Sequence, residues 1–254
     1  MFRPETVLAA LAALCLAPAA AQAQSSLGFN LAEASAVARS GDGGRGDLRL
    51  TGDWRVGPAQ GVQLDLTLAD HTGGYLGQID GHLYLSLADD AKYGVFVSLA
   101  DVSNREATVA MAGVEGMWRL GDRVTVQGKA ALGFARPHDM DFVAVHGRAD
   151  VAVGPHTSLF GDIGWASVDE AWLSATVTQA RLGVTHAPGG GPVELYVALA
   201  SDRLSGRDAA PSEMRVEVGL TARLGASGNA RRSVGERSFA GWQPFDPLIR
   251  RGRF

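Results

Sequence analysis

Apolar and polar residues alternate along most of this chain, most regularly from Asp47 to Leu68. Leu48, Leu50, Trp54 and Val56 share one parity, with Asp47, Arg49, Thr51, Asp53 and Arg55 on the other. After Gly57-Pro58-Ala59-Gln60-Gly61 the pattern resumes with Val62, Leu64, Leu66 and Leu68 against Gln63, Asp65 and Thr67. A period of two places alternate side chains on opposite faces of a strand, one apolar and one polar. The Gly- and Pro-containing break predicts a hairpin turn. With the apolar faces in step, Val56 is expected opposite Val62 and Trp54 opposite Leu64.

The rest of the chain repeats this unit. A less regular strand is expected at Leu27–Leu31. Others are expected at 79–87, 93–99, 108–120, 124–134, 142–153, 159–165, 172–185, 193–199 and 214–224. The total is about twelve, and single-chain bacterial barrels have an even number. Connections after even strands read as short and rich in Gly or Pro. Those after odd strands read as more polar and somewhat longer, for example Ser40–Gly46 and Ser201–Ser212. That parity is the one expected of short periplasmic turns and longer external loops. Only Leu31–Ala38 tolerates a helix. The predicted fold is all-β, an antiparallel transmembrane up-and-down β-barrel.

Composition changes the picture at the N-terminus. Arg3, the apolar run Val7–Leu16 and the small-residue site Ala21-Gln22-Ala23 read as a signal peptide over residues 1–23, cleaved near Ala23 for Sec export. The single cysteine, Cys15, lies inside it, preceded by Leu14 where a lipidation signal needs a small residue. The mature chain then has no disulfide framework and no cysteine metal site. The remaining run of about 230 residues suits one large all-β domain, here 24–227. It holds no apolar run near the roughly 20 residues of a membrane helix, a test blind to barrel strands. A net charge of −4 gives no argument for a nucleic-acid partner.

Aromatics fall near the ends of strands. Trp54, Tyr93 and Trp118 lie at the turn ends, and Phe134, Trp165 and Trp172 at the loop ends. Two such girdles are what membrane interfaces select. Signal, amphipathic strands, Gly-rich turns and strand-end tryptophans together resemble a bacterial outer-membrane β-barrel of the porin-like kind, over roughly residues 25–225. The resemblance is one of pattern, with no specific family motif. It implies outer-membrane lipid and the barrel-assembly machinery as partners, and the outer membrane as location. Such barrels usually end on an aromatic residue. Phe254 stands at the end here, but Pro244 and Pro247 interrupt the alternation before it. The stretch 228–254 is basic, with six arginines against Glu236 and Asp246, and Phe239, Trp242 and Phe245 between them. Its simplest reading is a flexible periplasmic tail. The sharper one is a segment that folds into the lumen or binds an acidic partner.

The polar faces should line the interior. They hold Asp47, Arg49, Asp53, Arg55, Asp65, Asp80, Glu115, Arg119, Lys129, Arg148, Asp150, Asp162, Arg181, Glu194, Arg215, Glu217 and Arg223, a near balance of sign. Charge inside a barrel needs water or a counter-charge. The leading functional reading is therefore a passive channel for small polar solutes with weak charge selectivity. Two rivals are a closed structural or surface-interaction barrel and a soluble periplasmic β-sandwich that binds a ligand. Val109 and Met111 fit less cleanly, because they point inward. No catalytic residues are assigned. His156-Thr157-Ser158 has the His–Ser spacing of membrane-barrel lipid hydrolases, but lies at a turn with no acidic orienter near in sequence. The six histidines lack metal-ligand spacing, and His138 with Asp139 and Asp141 reads as a solvated loop. Arg45-Gly46-Asp47 is discounted as a chance adhesion tripeptide. Neither a metal nor another cofactor is expected.

Overall fold

The computed structural model describes residues 28–40, 45–71, 74–103, 107–136, 139–171, 173–225 and 228–252. The expected signal peptide, Trp172, His138 and Phe254 lie outside these residues. Alternation becomes a meander of twelve antiparallel strands. They are β1 (Gly28–Arg39), β2 (Arg45–Arg55), β3 (Gln60–His71), β4 (Gly74–Ala88), β5 (Ala91–Val102) and β6 (Ala107–Leu120), then β7 (Val124–Arg136), β8 (Met140–Ala152), β9 (Thr157–Asp169), β10 (Ser174–His186), β11 (Val193–Ser205) and β12 (Ala210–Leu224). Each strand pairs with its sequence neighbours, and β1 pairs with β12 to close the barrel. Closure leaves no edge strand with unpaired backbone groups, a requirement inside lipid. Strands of 11 to 15 residues meet or exceed the roughly 9–11 needed to cross a bilayer at a tilt.

The burial pattern is inverted relative to a water-soluble protein. Leu83, Val97, Val114, Leu132 and Ile163 are exposed on the outer face, while Asp53, Asp65, Lys92 and Glu217 are buried inside. A soluble sandwich would place these two sets the other way round. An exposed belt of Leu and Val around a closed barrel is stable only against lipid, which excludes the β-sandwich reading. Trp54, Tyr93, Trp118, Phe134 and Trp165 all stand exposed on this belt.

Three expectations are corrected. In the first hairpin Trp54 pairs with Val62, and Gly52 with Leu64. The offset arises because Val56 leaves the ladder and enters the turn, where its N–H donates to the Gln60 carbonyl at 3.0 Å. A shift of two residues keeps every side chain on its face. Gly52 then faces outward beneath the indole of Trp54, which leaves no room for a Cβ there. Second, the helix-tolerant stretch is strand β1, because β2 and β12 pair with it on both sides and override its local preference. Third, the loops after odd strands are no longer than the turns after even ones. In the Ser201–Ser212 region Asp202 pairs with both Gln179 and Glu213, so the strands run past the polar residues and leave a loop of only 206–209. At the opposite end, Gly121 takes a φ of +67° in the β6–β7 turn, a conformation a side chain would strain. That end, where β1 starts and β12 finishes, is the turn end of the barrel; the other is the loop end.

The largest departure concerns residues 228–252. Where a flexible tail outside the barrel is expected, the segment turns back into the lumen and traverses it. The Ala230 N–H donates to Pro155 O in the β8–β9 turn, and the Val234 N–H to Asp89 O in the β4–β5 turn. At the far end Arg251 donates to Pro211 O, at the loop end of β12. Between these anchors lie a single 3₁₀ turn at Val234–Glu236 and a short helix, α1 (Asp246–Arg250). Phe239, Trp242, Phe245, Leu248 and Ile249 are buried. The last four join Phe96, Val109, Met111, Met140 and Phe142 of the wall in one apolar cluster. Burying each such side chain contributes about 1.5–3 kcal/mol. The inward Val109 and Met111 thus have a partner, and it is the tail.

Candidate functional site

Inward parity on the strands brings the predicted charged residues into the lumen, where the tail sorts them into two groups. Asp53, Asp65, Asp80, Glu115 and Lys129 lie on β2 to β7, on the wall the tail covers. Asp65 accepts from Arg49 at 2.7 Å, Thr51 at 2.5 Å, Gln63 at 2.9 Å and one nitrogen of His82 at 3.0 Å. The other His82 nitrogen meets Glu115 at 2.6 Å, and Glu115 also pairs with Lys129 at 2.9 Å. Asp53 accepts from Tyr84 at 2.6 Å and Asn30 at 3.0 Å, with Lys92 at 3.6 Å. Asp80 accepts from Gln78. Arg55 and Arg119 stand apart at the turn end, Arg55 exposed and Arg119 half-buried.

Gln63, Gln78, Gln127 and Gln179 hold the tail's backbone. Gln63 accepts the Phe239 N–H at 2.8 Å and donates to its carbonyl at 3.1 Å. Gln127 accepts from Ala240 N–H, Gln78 donates to Trp242 O, and Gln179 donates to Gln243 O. Irregular backbone inside a barrel has no ladder partner, and side-chain amides satisfy it instead. Lys92 donates to Arg237 O at 2.7 Å and sits 4.6 Å from the Phe239 ring centroid, a cation–π contact. Trp242 stacks on His146 at 5.4 Å, and its indole N–H donates to Gln179.

Arg49, Arg148, Asp162, Arg181, Glu194, Arg215, Glu217 and Arg223 line a cavity of about 310 Å³ between the tail and the rest of the wall. At mid-height Asp162 faces Arg181 at 2.8 Å and Arg148 at 3.5 Å, and Arg181 reaches Glu217 at 3.4 Å. Phe160 lies under both guanidiniums, 4.4 Å from Arg148 and 5.7 Å from Arg181. Towards the loop end Arg39 pairs with Asp47, with Glu217 at 3.3 Å and with Asp246 of the tail at 4.0 Å. Arg250 locks α1 to Asp202 at 2.8 Å and Glu213 at 2.9 Å, while Arg215 pairs with Asp202. Towards the turn end Arg223 bridges Glu33, at 2.6 Å, and Glu194. Arg232 of the tail also reaches Glu194, at 3.2 Å.

Sequence reasoning missed Glu33, Arg39, Lys92, Asp202 and the four glutamines as lumen residues. The first two sit on β1, whose alternation is blurred by alanines. Glutamine carries no charge to mark it. The tail had a legible signal, since Phe239, Trp242, Phe245 and Leu248 recur every third residue. The His156–Ser158 pair forms no catalytic constellation: His156 donates to Gly228 O at 3.3 Å, and Ser158 bonds Thr185 at 3.1 Å.

No family model matches the chain, and no curated protein matches it by sequence. Solved structures do. The COG4313 outer membrane channel from Pseudomonas putida F1 superposes with a TM-score of 0.59 at 13% identity, over 82% of this chain and 99% of that one. The KdgM porin gives 0.55 at 12% identity, over 75% and 98%. The NanC porin gives 0.54 at 12%, also over 75% and 98%. At these identities the likeness shows a fold, that of outer-membrane porin barrels.

Proposed function

We propose that the protein is an outer-membrane, porin-like channel that passively passes small polar solutes with weak charge selectivity. The observation that carries this reading is the charged cavity beside the tail. Its lining extends from Glu194 and Arg223 near the turn end to Arg39 and Asp47 near the loop end. Mixed charge of this kind suits a wetted path, because an empty apolar lumen would need none of it. Eight arginines face seven carboxylates along the cavity, which supports weak selectivity. The proposal includes export through an N-terminal signal cleaved near Ala23, insertion by the barrel-assembly machinery, and no catalytic role.

A planar bilayer recording of the purified full chain tests it. Small, stable conductance steps with a reversal potential near zero in a salt gradient are expected. Arg148→Glu should then shift that potential towards cation preference, because its side chain lines the cavity. Silence from the folded full chain would favour the rival reading of a closed structural barrel. One observation supports that rival: the tail fills the apolar half of the lumen.

A further inference from the structure

The turn-side part of the cavity has more guanidinium than carboxylate to satisfy it. Arg223 and Arg232 share Glu194, and Glu33 is taken by Arg223 and by the Ser238 hydroxyl at 2.6 Å. Asp150 is held by two nitrogens of Arg148, both at 2.8 Å. Arg232 is buried, and its Nε and Nη1 have no hydrogen-bond partner among the described residues. Arg237 bonds only carbonyls, Ala230 O at 2.7 Å and Arg232 O at 3.4 Å; no carboxylate lies within 4.0 Å of it among the described residues. Both side chains line the cavity. A half-satisfied buried guanidinium is unfavourable, and its planar fork is matched by a two-oxygen anion.

The segment that carries them is braced. Glu236 accepts from the Ser233 N–H and hydroxyl, both at 3.0 Å. Val234 is fully buried, and the Ala230 N–H is tied to the β8–β9 turn at 2.8 Å. A rigid loop presenting two under-paired arginines loses little entropy on closing around a ligand.

We propose that this part of the lumen is a binding site for a small oxyanion, the carboxylate or phosphate group of a solute, held by Arg232 and Arg237. The tail thereby supplies recognition as well as filling. The inference deepens the channel reading and rests on it for the route by which a solute arrives.

Calorimetric titration of the folded full chain in detergent, at matched chloride ionic strength, tests it with inorganic phosphate and with succinate. Saturable binding of either probe is expected, and which one binds identifies the group. The Arg232→Gln/Arg237→Gln double variant should bind at least about tenfold more weakly, since two charge-assisted contacts are lost. Arg119→Gln, outside the cavity lining, should bind as the unaltered chain does. If the double variant does not fold, the unaltered chain still decides. Its unfolding midpoint on unboiled SDS gels should rise with the bound probe and not with added chloride. Absence of binding by both probes, or equal binding by the double variant, overturns the site. Binding by a chain that does not conduct would keep the site and end the channel reading. Conductance without binding would do the reverse.

Discussion

At the scale of residues, the lumen is a set of small networks in which one side chain serves several others. Asp65 is the clearest case, because Arg49, Thr51, Gln63 and His82 all converge on it. Asp65→Leu removes the shared acceptor, leaves the buried His82 without one of its two carboxylates and leaves the part-buried Arg49 with only the Phe239 carbonyl. Breaking a buried pair from one side costs about 3–5 kcal/mol. The expected readout is a lower temperature at which the unboiled gel band converts to the boiled one; an unchanged midpoint would show that water replaces the carboxylate. Phe239 is the apolar counterpart. It is fully buried, stacked at 5.7 Å on His82 and set edge-on to Tyr84 at 5.9 Å. Phe239→Ala should cost about 3–5 kcal/mol in packing. Because that loss falls on the tail and not on the strand ladder, the tail should become sensitive to limited proteolysis before the barrel loses its gel shift. Simultaneous loss of both would mean that barrel and tail fold as one unit.

At the scale of elements, the strands were legible while the tail stayed open between a flexible segment and one folded into the lumen, for one physical reason. Period-two alternation marks a strand whichever strand it pairs with, so residues such as Val95, Val97 and Leu99 announce β5 without further context. Residues 239–249 make no ladder. Their partners, Gln63, Gln78, Gln127 and Gln179, are spread over β3, β4, β7 and β10 and become neighbours only when the sheet closes. Val109 and Met111 fitted the polar inward face poorly, and in the structure they pack with Trp242, Phe245, Leu248 and Ile249 of the tail. Charged lumen positions were read from parity alone, which cannot tell Asp65 behind the tail from Asp162 on the cavity. Deletion of 228–254 tests the division. Closure by β1 and β12 does not use the tail, so the truncated barrel should still shift on unboiled gels, at a lower midpoint. Its conductance should rise several-fold, as a wide lumen is uncovered; roughly eight strands already give a filled interior, and twelve leave room. Unchanged conductance would show that the tail does not obstruct the path.

At the scale of the whole molecule, the same residue type is asked to meet lipid on one face and a packed lumen on the other. Tryptophan makes this testable. Trp54, Trp118 and Trp165 are exposed on the outer belt, with 37%, 42% and 38% of their surface accessible, while Trp242 retains 8% inside. Interface aromatics sit where headgroups meet acyl chains. In chains keeping one tryptophan at a time, the others replaced by phenylalanine, lipids brominated along the acyl chain should quench the three outer residues strongly. Trp242 should be spared, since the barrel wall separates it from lipid. Truncation at 227 removes Trp242 altogether, so the unquenched emission that disappears with it belongs to Trp242. Equal quenching of Trp242 and Trp118 would mean that the tail lies outside the barrel, and the cavity, the glutamine clamps and the arginine pair would lose their setting together. Protection of Trp242, with quenching of Trp54, Trp118 and Trp165, places the apolar belt against lipid and the tail within the lumen in a single measurement.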